Sequence, residues 1–173
     1  VATGADLVAY SGFSSSNYLR QPVCDELNSF GSNGYSITFW IKPASNTTGK
    51  YAFQKGSTSV GGGYLHVLPY YTGNFFWNDG GSTYVNTSSA IPTVGVWSCY
   101  TVVRTPTHMM VYLNGDLKHT QASTMVSVDN TDHGLTIGNR TDAANPYTGS
   151  LALFRISATA PTAEQIAKIY EDE

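Results

Sequence analysis

The chain is short of charge. Asp, Glu, Lys and Arg together make up 12% of its 173 residues, about half the share usual in a soluble domain. The nine basic residues are scattered and the net charge is −3. Binding to a polyanion needs clustered cations, so no nucleic acid and no anionic membrane surface is expected as a partner. Long apolar runs are missing as well. No stretch reaches the ~18 residues of a transmembrane helix, so no membrane insertion is expected. No secretory leader pattern opens the sequence. It starts at Val1 rather than Met, which reads as a processed chain or a piece of a longer one.

Cysteine is scarce too. Cys24 and Cys99 allow one disulfide at most and form no zinc site by themselves. Cys99 lies in an apolar run, where a buried free thiol is the plainer reading. A bridge would point instead to an oxidising compartment.

Ser, Thr, Asn, Gly and Tyr fill the space that charge leaves. Hydrophobic residues still account for 41%, enough for a sizeable core in one domain spanning 1–173. Turn signals recur at Gly31–Gly34, Gly61–Gly63, Asp79-Gly80-Gly81, Asn114-Gly115 and Asp132–Gly134. The short β-branched and aromatic runs between them predict strands. These are Ser36–Lys42, Tyr51–Lys55, Tyr64–Leu68, Asn74–Asn78, Trp97–Arg104, Met109–Leu113, Leu135–Ile137 and Ser150–Ser157. Asn114-Gly115 is a strong hairpin signal, since both residues tolerate positive φ. In Ser150–Ser157, strict alternation sets Leu151, Leu153 and Arg155 against Ala152, Phe154 and Ile156. In Trp97–Arg104, both faces carry apolar residues, which predicts a strand covered at least partly on both sides. One helix is expected, at the C-terminus. Thr162 and Gln165 make a capping box, and Ile166, Ile169 and Tyr170 form an apolar stripe. Glu171, Asp172 and Glu173 oppose the dipole at its end, which continuation of the chain or fraying would explain.

Local patterns in a fixed order resemble laminin-G-like domains of the concanavalin A-like superfamily. They are Phe13-Ser14-Ser15-Ser16-Asn17-Tyr18-Leu19, then Tyr35 to Pro43, then Ala52-Phe53-Gln54-Lys55-Gly56. Gly95 to Tyr100, Val111-Tyr112-Leu113-Asn114-Gly115, Leu135-Thr136-Ile137-Gly138-Asn139 and Gly149 to Ile166 follow. Together they cover nearly the whole chain. The resemblance implies an all-β fold: a two-sheet antiparallel jelly-roll sandwich with a short C-terminal helix. The Pro161–Glu173 ending also resembles laminin-G-like domains of bacteriophage structural proteins such as tail fibres.

The superfamily includes glycoside hydrolases, which need two carboxylates at a fixed separation. The only glutamates are Glu26, Glu164, Glu171 and Glu173, and none lies on an expected strand. A strand-borne acid pair cannot be assembled, and no Gly-x-Ser-x-Gly elbow exists. The chain is therefore expected not to be an enzyme. Relatives often hold Ca²⁺ through loop carboxylates and carbonyls. Ala152 and Leu153 stand where many of them carry Asp and Glu, which counts against a metal site that depends on those acids. No cofactor is expected. The remaining candidate calcium ligands are Asp129, Asp132 and Asp142, beside Asn130 and Asn139. Turn chemistry explains the same residues.

The expected function is non-catalytic recognition of a glycan or cell-surface ligand, outside the cell or on a virion. The alternative is a structural virion domain, a tail-fibre or decoration piece, contacting other copies in a homo-oligomer or larger assembly. Sugar recognition pairs aromatic faces with amides and carboxylates. Twelve Tyr, seven Phe and three Trp are available. The densest stretch is Tyr70–Asp79, where Tyr71, Trp77, Asn78 and Asp79 are the candidate contacts. Phe75 and Phe76 point to opposite faces, so at most one is exposed. Tyr64, His66 and Tyr84 would extend this surface, while Asn139, Arg140 and Tyr147 form a separate loop set. The same aromatics are also what sheet cores and cross-strand pairs enrich. Asn46, Asn86 and Asn139 begin glycosylation sequons, which matter only in a eukaryotic secretory host.

Overall fold

The computed structural model of the chain describes residues 9–28, 33–57 and 63–173. Part of the Gly31–Gly34 and Gly61–Gly63 turn signals lies outside these residues. Among the described residues the strands are β1 (Leu19–Gln21), β2 (Tyr35–Pro43), β3 (Phe53–Gly56), β4 (Tyr64–Tyr71) and β5 (Asn74–Asn78). They continue with β6 (Val85–Thr87), β7 (Ser98–Arg104), β8 (His108–Leu113), β9 (Asp116–Ala122), β10 (Leu135–Ile137) and β11 (Gly149–Ser157). The helices are a single turn, α1 (Asp25–Asn28), and the terminal α2 (Ala163–Asp172).

The strands form two antiparallel sheets. One has six strands in the order β1-β10-β3-β4-β5-β6, the other five in the order β11-β2-β7-β8-β9. This is the expected all-β jelly-roll sandwich with a short C-terminal helix. Alternation places one side of each sheet in the shared core. Tyr35, Ile37, Phe39 and Ile41 of β2 meet Phe53, Leu65, Val67, Phe75 and Trp77 from the facing sheet. At the centre Tyr100 stacks between Phe39 and Phe75, with ring centroids 5.5 and 5.1 Å away. Its hydroxyl donates to the Ala90 carbonyl at 2.6 Å, so its polar end is satisfied inside the core.

The outer face of the five-stranded sheet is roofed by α2, which is why β2 and β7 are buried on both sides. Thr162 and Gln165 close the capping box. Ile166 packs on Val103 and Tyr112, and Tyr170 stacks on Trp40 at 5.8 Å. Two of the three acids at the helix end pair with cations. Glu173 accepts from the Trp40 Nε1 at 2.8 Å and pairs with Arg155, and Asp172 pairs with Lys168.

β11 departs from strict alternation. A bulge between Ala152 and Arg155 puts Leu153 at φ 48°, outside and exposed. The extra residue resets the parity. Leu151 therefore shares the core side with Phe154 and Ile156, not with Leu153 and Arg155. The Asn114-Gly115 hairpin forms as expected, with φ of 54° and 81°. Both cysteines are free thiols. Cys99 is buried, and burial pushes its pKa up to about 12.

Candidate functional site

The six-stranded sheet leaves its outer face open. Along β4 the outward positions are His66 and Leu68. Along β5 they are Phe76 and Asn78, because Phe75 and Trp77 point into the core. The register aligns Gln54, His66 and Asn78 in one cross-strand row and Leu68, Phe76 and Asn86 in the next. Tyr51 closes one side, ahead of β3. Tyr71, at the β4–β5 hairpin, and Tyr84, before β6, rise at the other. Together they form a groove of about 370 Å³, within the range of small-ligand sites.

The rings are in continuous contact. Phe76 lies 5.4 Å from Tyr71 and 5.1 Å from Tyr84, and His66 stacks against it at 5.6 Å. His66 in turn touches Tyr64 and Tyr51 at 5.3 and 5.4 Å. Phe76 and His66 are the floor. Tyr71 and Tyr84, 41% and 46% exposed, present the most open ring faces of the groove. Asn78 and Asn86 supply amides. The Asn78 Oδ1 accepts from the Gly80 backbone at 2.6 Å, leaving its NH₂ as a donor.

Among the described residues no charged side chain lines the groove. Burial holds the His66 pKa down at about 4, and its Nδ1 has no hydrogen-bond partner among the described residues. The imidazole is therefore neutral above that pH, without an acid to orient it as a base. The four glutamates lie on α1, α2 and the chain end, and none is among the described groove-lining residues.

Of the residues singled out in the sequence, Tyr71 and Asn78 belong to this groove, as do His66 and Tyr84. Trp77 does not. It is fully buried in the core, since it alternates with Phe76 and Asn78. Asp79 is also fully buried and forms an ion pair with Arg104, itself fully buried. That guanidinium also donates to the Thr105, His108 and Ser123 carbonyls. Asn139 is buried as well. Its Nδ2 donates to the Ser14 carbonyl, and its Oδ1 accepts from the Arg140 and Asn145 backbone. Tyr147 packs in the core 6.5 Å from Phe13. The Phe13 ring lies over Gly138 so closely that a Cβ there would stand 2.1 Å from it. Phe13, Gly138, Asn139 and Tyr147 are thus scaffold, and the Asn139 sequon is inaccessible. Arg140 stays at the surface, bidentate on Asp142 and against the Tyr51 hydroxyl at the groove rim.

The three aspartates proposed for calcium do not converge. Among the described residues no group of three acid, imidazole or thiol side chains is placed to hold a metal. Asp142 is committed to Arg140, which holds its carboxyl below the usual range. Asp129 faces the Lys55 ammonium. Asp132 sits in a turn whose backbone amides are held by the Asn130 Oδ1, as turn chemistry anticipates.

Phe76 is the outward one of the Phe75-Phe76 pair, whereas Tyr51 and Asn86 carry no ligand-site signal in sequence. Tyr51 precedes its strand, and Asn86 lies on a three-residue strand without a recognisable pattern. A larger crevice, about 850 Å³, lies between α2 and the β11–β2 side of the other sheet. No aromatic ring lines it, and its cations Arg155 and Lys168 are paired with Glu173 and Asp172.

A family model described as the concanavalin A-like lectin/glucanases superfamily matches residues 13–167. The chain belongs to that superfamily. No curated protein sequence matches it. Solved structures share its fold at low identity. Domain 4 of AbnA, a GH43 extracellular arabinanase from Geobacillus stearothermophilus solved with arabinotriose, superposes with a TM-score of 0.73 at 20% identity. That match covers 96% of this chain and 82% of that one. The receptor binding domain of botulinum neurotoxin mosaic serotype C/D gives a TM-score of 0.68 at 18% identity, over 97% of this chain and 45% of that one. The binding domain of Paraclostridial Mosquitocidal Protein 1 gives 0.66 at 17%, over 98% and 46%. This superfamily domain therefore spans less than half of the toxin structures.

Proposed function

We propose that the chain is a non-catalytic carbohydrate-recognition module whose ligand lies in the groove on the six-stranded sheet. The observation that carries this reading is the pair of half-exposed tyrosines, Tyr71 and Tyr84, flanking Phe76 with the Asn78 and Asn86 amides beside them. Such rings offer flat apolar area to sugar C–H faces while their hydroxyls stay wet. Amides both donate and accept, as hydroxyl groups do. The arabinotriose complex of the AbnA domain supports a sugar ligand for this fold. Among the described residues the groove lining holds no acid pair of the kind glycoside hydrolysis needs, which supports binding without turnover. An extracellular setting suits a module of this kind. The tail-fibre setting has no counterpart among the relatives described above.

The test is a glycan array followed by titration of the hits. Tyr71→Ala and Tyr84→Ala should each weaken binding about tenfold, equivalent to ~1.4 kcal/mol, with thermal stability near wild type. Undiminished binding by the double variant would refute the groove as the site.

A further inference from the structure

Among the described residues, no charged side chain lines the groove. The nearest guanidinium, Arg140, is bidentate on Asp142, with Nε 2.7 Å from the Oδ1. We infer that the groove selects neutral saccharides and rejects acidic ones, such as uronate- or sialate-bearing chains; this rests on the carbohydrate reading above.

The reason is desolvation. A ligand carboxylate entering against Phe76 and the tyrosines would shed water and meet no cation in return, an arrangement that is strongly unfavourable. His66, the imidazole among the described lining residues, is stacked against Phe76 and held uncharged down to about pH 4, so mild acid supplies no counter-charge. A neutral hydroxyl-rich chain meets no such penalty, because the Asn86 amide serves hydroxyls in either role and Asn78 offers its NH₂ as a donor. Asp142 thereby becomes a specificity-determining residue without touching the groove: it occupies the Arg140 fork that would otherwise greet an anion.

The experiment compares neutral and acidic oligosaccharides on one array, for wild type and Asp142→Asn. The amide keeps an Oδ1 for the Ala144 backbone, which now donates to it at 3.1 Å, but no longer neutralises Arg140. Wild type should bind neutral chains only. Asp142→Asn should gain at least tenfold for acidic chains and stay within about twofold of wild type for neutral ones, ~1.4 and ~0.4 kcal/mol respectively. Wild-type binding of acidic chains as tight as neutral ones overturns the inference and leaves the carbohydrate reading intact. So does an Asp142→Asn variant with no gain. Binding of neither class overturns both.

Discussion

At the scale of single residues, His66 joins the groove to stability. It is buried against Phe76, Tyr51 and Tyr64, and burial is what shifts its titration. Burial lowers its pKa from 6.5 to about 4. The unfolded chain therefore binds this proton more readily than the folded one. Stability is full above pH 6.5 and falls as pH drops toward 4, by about 3 kcal/mol in all. Urea midpoints from pH 7 to pH 4 should show this loss in wild type. His66→Phe, which keeps the ring stack, should lack that part of the slope; equal slopes would contradict the account. The neighbouring stretch Tyr70–Asp79 shows how far the site could be read from sequence. It does hold groove residues, but alternation sorts them. Asn78 faces out and Trp77 faces in, and the sequence gives no sign of which parity is inward until the facing sheet is known. Asp79 reads as a ligand-binding acid because Arg104, its buried partner, lies 25 residues further along the chain.

At the scale of elements, the long and apolar strands were legible, and so was the capped helix. β5 and β10 run as expected, and β2, β7 and β8 differ by a residue or two at their ends. β1, β6 and β9 were not legible, for a physical reason. β1 is three residues long and exposed throughout, and β9 (Asp116–Ala122) is an edge strand without an alternating apolar face. Strands of this kind form because a neighbour supplies their hydrogen bonds, not because their side chains demand it. The bulge in β11 was likewise hidden. Leu153 at φ 48° is in a conformation that costs a non-glycine residue ~1 kcal/mol or more, and its side chain is exposed. Leu153→Gly should therefore leave stability within about 1 kcal/mol of wild type, since relieved strain offsets the added freedom of the unfolded chain. Leu151→Ala, two residues away in the core, should cost about 2–5 kcal/mol. Denaturant titration decides; equal losses at the two positions would contradict the bulge.

At the scale of the whole molecule, the two sheets do different work. The five-stranded sheet is sealed by α2 through Trp40, Tyr170 and Ile166. The outer face of the six-stranded sheet carries the open aromatic groove. Arg104 of β7 and Asp79 after β5 tie the sheets together at one end, and the same Asp79 loop leads on to Tyr84. Asp79→Ala strands a buried guanidinium, and breaking such a pair costs about 3–5 kcal/mol. A urea-melt difference below about 1 kcal/mol would show that the pair does not bind the layers.

The most direct test of the central claim is amide and aromatic NMR of isotope-labelled protein titrated with the tightest oligosaccharide from the array. Shifts concentrated on Tyr51, Tyr71, Phe76, Tyr84 and Asn86, with α2 silent, are the predicted result. Shifts gathered on α2 and β11, or around Asn139 and Tyr147, with the aromatic groove unmoved, would contradict it.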